Sequence, residues 1–177
     1  AQATRSGLEK AFRQAVDGLA EGDLLVLYVS GHGGQVDDGD PTEDDGLSET
    51  LCLWDGPMTD TYLSGLLAEI PVGVRLFLVT DTCNSGTNYR RRQLERALPQ
   101  PFRASLIHFG GCADGFASFG TEQGGIFTTA LIDAWRAGIS YRAWFDAAAR
   151  LLPGHQVAVY AEHGPVTEGV RNGEALR

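Results

Sequence analysis

Two apolar runs, each ending abruptly in small and polar residues, constrain the fold of this chain more than any other feature. Residues 24–29 lead into SGHGG at positions 30–34, and residues 74–80 lead into DTCNSG at positions 81–86. Both runs are rich in Leu and Val without polar alternation, which predicts two fully buried strands of a parallel sheet. Since ligands bind at the carboxyl ends of such strands, we expect the two motifs to meet at one edge of the sheet.

One motif supplies an imidazole and the other a thiol, and the pair suits nucleophilic catalysis. Cys83 would attack a carbonyl as a thiolate, and His32 is suited to activate it and to protonate a leaving amine. The backbone N–H groups of Gly33 and Cys83 would form an oxyanion hole, in which the loss of one donor costs about 3 kcal/mol. The sequence therefore predicts a Cys-His nucleophilic site.

Both residues also have a purely structural interpretation. A cysteine after a buried strand is often a small core residue, and a histidine at a strand end is often only a surface residue. The glycines on both sides of His32 and the small polar turn after Cys83 favour the functional interpretation. We therefore take the nucleophilic site as the main hypothesis.

The remaining cysteines and histidines belong to no evident motif. Cys52 and Cys112 lack comparable surroundings, and we expect both in the core. His108 lies inside an apolar run and is expected to be a buried side chain, whereas His155 and His163 fall in predicted loops. The sequence has no Cys-x-x-Cys pair, which argues against a zinc site.

The size and charge of the chain restrict its partners. With 177 residues and 19.0 kDa, residues 1–177 are expected to form a single domain. The formal net charge of -9 argues against contact with nucleic acid or an anionic membrane, and it suits a cationic substrate. No apolar run is long enough to span a bilayer. Three cysteines do not make a disulfide framework, so we expect a protein of the reducing cytoplasm.

The hydrophobic pattern predicts an α/β architecture with a mainly parallel sheet. We expect helices at residues 6–20 (with a capping box from Ser6), from Thr59 or Asp60 to 70, at 126–136 and at 140–152, and further strands at 51–54, 104–109 and 156–160. The buried faces of the last two helices would include Trp135 and Leu151. Residues 162–177 are polar and rich in glycine, so low order is expected there. Because the domain starts on a helix, we expect one or more strands upstream or on a separate chain.

Two charged clusters each have two interpretations. Residues 37–45 hold only acidic charges, which suits a solvated loop or, if several oxygen ligands converge, a Ca²⁺ site. Residues 89–96 form the basic cluster of the chain. They suit a solvated segment or an exposed site cut by a protease that prefers Arg.

The two strand-end motifs together resemble the caspase-fold cysteine peptidases of clan CD, in the metacaspase and bacterial orthocaspase branch. The acidic loop after the histidine and the GCAD sequence at residues 111–114 add to this resemblance, which extends over roughly residues 4–160. The separation of His32 and Cys83 is close to the ~50 residues typical of a caspase pair. The resemblance implies a caspase-like fold, with helices on both faces of a central sheet, and cysteine endopeptidase activity.

The resemblance also implies which residues select the substrate. His32 and Cys83 would be the catalytic dyad, Ser30 and Asp81 would line the S1 pocket, and Asp114 would add to it. An acidic pocket accepts Arg or Lys at P1 through charge-assisted, often bidentate hydrogen bonds. Caspases proper carry Gln-Ala-Cys before the turn and hold an Asp, whereas this chain has Asp-Thr-Cys. We therefore expect polypeptide substrates that are cleaved after basic residues.

The chain departs from the family pattern in three places. Asn84 follows the nucleophile where the family often has a histidine, which is not the dyad histidine. The family's first strand, with a further acidic S1 residue, has no counterpart here, so a separate N-terminal fragment of the same enzyme or a regulatory partner would supply it. The chemistry requires no cofactor; Ca²⁺ would be an activator held by Asp44, Asp45 and Asp60, although Thr61 stands where relatives carry a second carboxylate.

Activation and pathway are further expectations from the resemblance. The enzyme would process itself at Arg90, Arg91 or Arg92 and would be activated conditionally, in a bacterial stress or defence pathway. The alternative from a different class is a non-catalytic caspase-like module for interaction or signalling.

Overall fold

A computed structural model of the chain describes residues 3–37, 46–83, 85, 102, 104–113, 119–121, 124–166 and 168–177. The helices are α1 (Arg5–Val16), α2 (Asp60–Leu67), α3 (Ile126–Ala134), α4 (Tyr141–Ala149) and α5 (Glu168–Asn172). The strands are β1 (Leu24–Ser30), β2 (Gly33–Val36), β3 (Ser48–Leu53), β4 (Gly56–Thr59), β5 (Arg75–Asp81), β6 (Ser105–Gly110), β7 (Gly120–Thr121), β8 (Gly124–Gly125) and β9 (Val159–His163). Among these helices, none combines the length and the apolar character needed to cross a membrane.

A four-stranded sheet in the order β1-β5-β6-β9 forms the centre of the fold. Strands β1, β5 and β6 run parallel, and β9 pairs antiparallel with β6. The first pair is in register from Leu24 opposite Arg75 to Ser30 opposite Asp81. The predicted α/β architecture with a mainly parallel sheet is therefore confirmed.

The central strands separate two hydrophobic layers. Leu76 and Leu78 of β5 pack with α1 and α2, whereas the alternate residues Phe77 and Val79 pack with α3 and α4. Each such side chain contributes about 1.5–3 kcal/mol when it is fully buried. Because both faces of β5 and β6 are covered, these strands carry the continuous apolar sequence from which they were predicted.

The prediction that residues 24–29 form a fully buried strand is wrong for one face. Val26 and Tyr28 are 49% and 48% exposed, although their strand has the predicted bounds. The reason is the position of β1 at the edge of the sheet, where α3 and α4 cover this face of the strand only in part.

A smaller antiparallel sheet, β2-β3-β4, continues directly from β1. The predicted strand at residues 51–54 belongs to β3, which begins three residues earlier, at Ser48. Strands β2 and β4 were not predicted because they are short and contain glycine or proline, which weaken a strand pattern. This sheet holds the chain that follows His32.

Side-chain caps fix where the helices begin. Thr59 and Ser140 cap α2 and α4, as predicted, through their hydroxyl oxygens. The predicted capping box at Ser6 is wrong: the N-cap of α1 is Thr4, whose Oγ1 accepts a hydrogen bond from the Gly7 N–H at 3.1 Å. Both Ser and Thr are favourable N-cap residues, and nothing local distinguishes two hydroxyls two residues apart.

The C-terminal third departs most from the predictions. The last strand, β9, lies three residues beyond the predicted 156–160, and residues expected to have low order form α5 and further backbone contacts. The Ala175 N–H donates to the Ile139 carbonyl at 2.8 Å. Trp135 and Leu151, expected in the core, are exposed because α3 and α4 end before them.

His108 of β6 is a buried side chain, as predicted. Its Nε2 lies 2.7 Å from the Thr80 Oγ1 of β5. Desolvation by burial, with a smaller contribution from the nearby His163, lowers the pKa of His108 from 6.5 to about 3. The folded protein therefore holds this imidazole neutral across the physiological pH range.

We predict that His108 makes the protein less stable as the pH falls from 7 to 5. The unfolded chain binds a proton at a pKa of about 6.5 that the folded chain does not accept until about pH 3, so this residue alone removes about 2 kcal/mol of unfolding free energy by pH 5. Denaturant titrations at several pH values measure the slope. His108→Gln should flatten it, and the exposed control His155→Gln should leave it at the wild-type value. An unchanged slope in His108→Gln would contradict the prediction.

Candidate active site

The register of β1 and β5 brings the two strand-end motifs together. Ser30 lies opposite Asp81, and the Gly31 N–H donates to the Asp81 carbonyl at 3.2 Å. His32 and Cys83 each follow two residues after this last pair. The two residues therefore leave neighbouring strands at the same edge of the sheet, where the imidazole residue is exposed and the thiol residue is partly buried.

Gly33 packs directly against the backbone of the cysteine. A Cβ atom added at Gly33 would lie 2.1 Å from the Cys83 carbonyl oxygen and 3.2 Å from the Thr82 Cβ. Real Cβ atoms do not approach so closely, and only glycine fits here. The chain after the histidine and the chain around the cysteine are consequently in backbone contact.

The second sheet anchors the histidine segment from its other side. The Cys52 N–H donates to the His32 carbonyl at 2.9 Å, and the next pair of the β2–β3 ladder joins Gly33 and Leu51. Leu51 is buried and Cys52 is exposed. The expectation that Cys52 lies in the core is wrong: the four residues before it in β3 are buried, and burial ends at Cys52, near the end of the strand.

Ser85 connects the turn after Cys83 to the segment that follows β6. Its hydroxyl donates to the Cys112 carbonyl at 2.9 Å and accepts from the Cys112 N–H at 2.9 Å. The Ser85 N–H donates to the same carbonyl at 3.1 Å, and the side chain is completely buried. Cys112 is buried as predicted. Sequence reasoning treated Ser85 only as a small residue and missed this contact.

Gln156 fixes the neighbouring loop. Its Nε2 donates to the Gly111 carbonyl at 2.8 Å, and the Ala113 N–H donates to the Val157 carbonyl at 2.7 Å. Gln156 is buried and precedes β9, whereas the sequence predicted that it would begin the strand. His163, expected in a loop, is likewise a buried strand residue. Both polar residues were missed because a polar side chain gives no local signal of burial.

Asp81 lies at the N-terminus of α3 and is only 3% exposed. Its Oδ2 accepts hydrogen bonds from the Thr128 N–H at 2.9 Å and from the Thr128 hydroxyl at 2.6 Å. The N-cap residue of α3, Gly125, has no side chain, so the Asp81 carboxylate at the end of β5 accepts hydrogen bonds at the helix N-terminus instead. Sequence reasoning missed Thr128, since a contact between residues 47 positions apart leaves no pattern in the sequence.

Ser30 is the other predicted S1 residue that the structure describes. Ser30 is exposed at the end of β1, next to Asp81 in the sheet. The residues that lie outside the described part of the chain are Asn84, Asp114, Arg90, Arg91, Arg92, Asp44 and Asp45.

Asp60, the remaining predicted Ca²⁺ ligand, is buried at the start of α2. Its Oδ1 accepts a hydrogen bond from the Thr61 N–H at 2.7 Å. Within the described ranges, no group of three or more His, Cys, Asp or Glu side chains converges on a common point that could hold a metal ion.

Comparisons with known proteins agree with this geometry. The family model described as "Metacaspase, peptidase C14 domain" matches residues 1–90, which include both strand-end motifs. Metacaspase-3 of Arabidopsis thaliana is 39% identical over 89 residues, and Metacaspase-1 of Pyricularia oryzae is 36% identical over 91 residues. These alignments cover 48% and 49% of this chain but only 25% and 23% of the relatives, so the matched part spans about a quarter of their length.

Two crystal structures extend the similarity to the whole chain. Protein GSU0716 from Geobacter sulfurreducens is 29% identical, with a TM-score of 0.82 over 98% of this chain and 78% of that chain. Caspase-1 from Spodoptera frugiperda is 15% identical, with a TM-score of 0.51 over 92% of this chain and 68% of that chain, which shows a shared fold. With both motifs inside the matched family model and a caspase-like sheet behind them, the chain belongs to the metacaspase family of caspase-like cysteine peptidases.

Proposed function

We propose that this chain is a cysteine endopeptidase in which Cys83 is the nucleophile and His32 the general acid and base. The observation that carries the proposal is the backbone contact between Gly33 and Cys83, which joins the two strand ends. Membership in a peptidase family supports it. The partial exposure of Cys83 and the exposure of His32 leave both residues accessible to a polypeptide at the sheet edge.

Acylation begins when His32 takes the proton of the Cys83 thiol. The thiolate sulfur then attacks the carbonyl carbon of the scissile peptide, and the carbonyl π electrons move to the oxygen to give a tetrahedral oxyanion. When the oxyanion collapses, the C–N bond breaks and the imidazolium gives its proton to the leaving amine. The products of this half-reaction are a free amine and a thioester on Cys83.

Deacylation reverses these roles with water. His32 takes a proton from a water molecule, whose oxygen attacks the thioester carbon. The second tetrahedral oxyanion then expels the Cys83 sulfur, which recovers the proton from His32. The new carboxylic acid departs and the free dyad is restored.

The oxyanion in both steps would be stabilised by the backbone N–H groups of Gly33 and Cys83. Such donors act strongly because their position is fixed before the reaction, and the loss of one costs about 3 kcal/mol. Gly33 is fixed on both sides, by the Cys83 backbone and by the β2–β3 ladder. Ser85 in turn fixes the chain that follows the nucleophile.

The substrates we propose are polypeptides with Arg or Lys at P1. Asp81 and Ser30 are register partners beside the dyad and would line the S1 pocket together with Asp114. A carboxylate in this position binds a guanidinium through charge-assisted hydrogen bonds, often in a bidentate geometry. The net charge of -9 would also attract cationic segments.

The proposal includes control of the activity. Cleavage within Arg90–Arg92 would process the enzyme itself, and Ca²⁺ bound by Asp44, Asp45 and Asp60 would activate it. No disulfide joins Cys52, Cys83 and Cys112, which suits the reducing cytoplasm proposed from the sequence. The setting would be a bacterial stress or defence pathway.

The edge of β1 is the proposed site of a further segment of the enzyme or of a regulatory partner. An apolar groove of about 200 Å³ opens between α1 and β1, and its lining includes Leu8, Ala11 and Ala15. Val26, which also lines this groove, and Tyr28 are both about half exposed on β1. An extended segment that paired with β1 would place alternate apolar side chains on both faces, and an N-terminal fragment of the same enzyme is the occupant that we propose.

The alternative function is a non-catalytic caspase-like module. It has the same fold and would use the same edge to bind a signalling partner. Only the chemistry of Cys83 separates the two functions, so the first experiment addresses that residue.

We predict that Cys83→Ala abolishes the cleavage of fluorogenic peptides with Arg or Lys at P1, while circular dichroism and the melting temperature stay at wild-type values. The thiol is the nucleophile, and its removal leaves a partly buried methyl group that the fold tolerates. Asp-containing peptides serve as the control substrate and should not be cleaved, with or without Ca²⁺. Cleavage that persists in Cys83→Ala would remove the assignment, and inactivity of the wild type on every peptide would favour the non-catalytic module.

We predict that alanine destabilises the protein at Gly33 but not at the nearby Gly31. Gly33→Ala forces a methyl group onto the Cys83 carbonyl and should cost about 1–3 kcal/mol of stability together with most of the activity. Gly31→Ala meets no atom within 4 Å and should change the stability by less than about 0.5 kcal/mol. Chemical denaturation and peptide hydrolysis measure both effects. Equal effects of the two substitutions would show that the close approach at Gly33 is unimportant.

A further inference from the structure

We infer that Thr128 and Tyr28 position the Asp81 carboxylate and thereby set the preference for a positive charge at P1; this rests on the proposed function of Asp81 in the S1 pocket. Thr128 gives both its N–H and its hydroxyl proton to Oδ2 of Asp81, at 2.9 and 2.6 Å. The Tyr28 hydroxyl lies 2.8 Å from the Thr128 Oγ1. Because the threonine proton is already donated to the carboxylate, the tyrosine O–H is the donor in this contact.

The three groups form a hydrogen-bond chain with one direction, from Tyr28 through Thr128 to Asp81. Successive O–H dipoles that point the same way polarise one another and strengthen the last bond, which ends on the carboxylate. The backbone N–H of Thr128 belongs to the first turn of α3, where the helix dipole favours negative charge. The chain therefore holds the Asp81 carboxylate in one orientation.

Two glycines hold the carboxylate in that orientation. A Cβ atom at Gly125 would lie 1.9 Å from Asp81 Oδ2, and one at Gly111 would lie 3.1 Å from Oδ1. Backbone therefore approaches the carboxylate on two sides, and space for another rotamer is limited. The strand and the two glycines place the group, and the hydroxyl of Thr128 is a side-chain contact that orients it and that a substitution can remove.

Tyr28 extends this arrangement to the surface. It lies on the edge strand β1 and is half exposed, so its hydroxyl can be removed without disturbing the buried layers. Its contribution to Asp81 is indirect, through one intervening hydroxyl. We therefore expect a smaller effect at Tyr28 than at Thr128, with the same direction.

Variants of the wild-type chain test the inference with two matched peptides that carry Arg or its neutral isostere citrulline at P1. Thr128→Val keeps the shape and the N–H, and it should lower the ratio of kcat/KM for Arg over citrulline about tenfold, through KM. Thr128→Ser should restore the ratio, and Tyr28→Phe should lower it about threefold. Thr129→Val is the control, because the Thr129 hydroxyl donates to the Gly125 carbonyl instead.

A second readout separates positioning from a general loss of structure. Alkylation of Cys83 by iodoacetamide does not use the S1 pocket, so its rate in Thr128→Val should stay within about twofold of the wild type. The inference is overturned if Thr128→Val keeps the wild-type ratio, if Thr129→Val loses as much, or if alkylation falls in parallel. If Thr128→Val does not fold, an unchanged ratio in Tyr28→Phe overturns it. A wild type that cleaves without preferring Arg, or that does not cleave at all, overturns the proposed function and this inference with it.

Discussion

The contact that the rest of this structure depends on is the pairing of two parallel strand ends. Ser30 lies opposite Asp81, and Gly33 then packs on the Cys83 carbonyl so closely that no side chain fits between them. The pairing is held by the hydrophobic layers on both faces of β5, and it delivers His32 and Cys83 to one edge of the sheet. A slip of one residue in this register would turn every side chain of β1 to the other face and separate the motifs.

Polar groups that are buried beneath the site fix it in place. Ser85 binds the end of β6 through both functions of its hydroxyl group, and Asp81 satisfies the N-terminus of α3. In a low-dielectric interior such bonds are costly to leave unmade, so they hold their partners in one arrangement. Helix α3 and strand β6 thereby orient the chain on either side of Cys83, although neither contributes an atom to the proposed reaction.

The sequence predicted the parts of this architecture that are encoded by local patterns. The apolar run of residues 74–80 and the small residues after it identified both the central strand and the position of Cys83. Contacts between distant residues were not predictable, since Thr128 and Asp81 are 47 positions apart. The exposure of Tyr28 and Cys52 was not predictable either, because it depends on which elements pack over each strand in the fold. The edge position of β1 also explains why a strand with an apolar sequence exposes one face.

Labelling with an arginine-derived chloromethyl ketone tests the central claim most directly, because a second cysteine of the same chain, Cys52, can compete with Cys83 for the reagent. Cys52 is more exposed than Cys83, and a reagent that reacted according to exposure alone would modify Cys52 first. If the two strand ends form a working dyad beside an acidic pocket, peptide mapping by mass spectrometry should find a single adduct on Cys83, and His32→Ala should lose it. An adduct on Cys52, or equal labelling of Cys83 in the His32→Ala variant, would contradict the account.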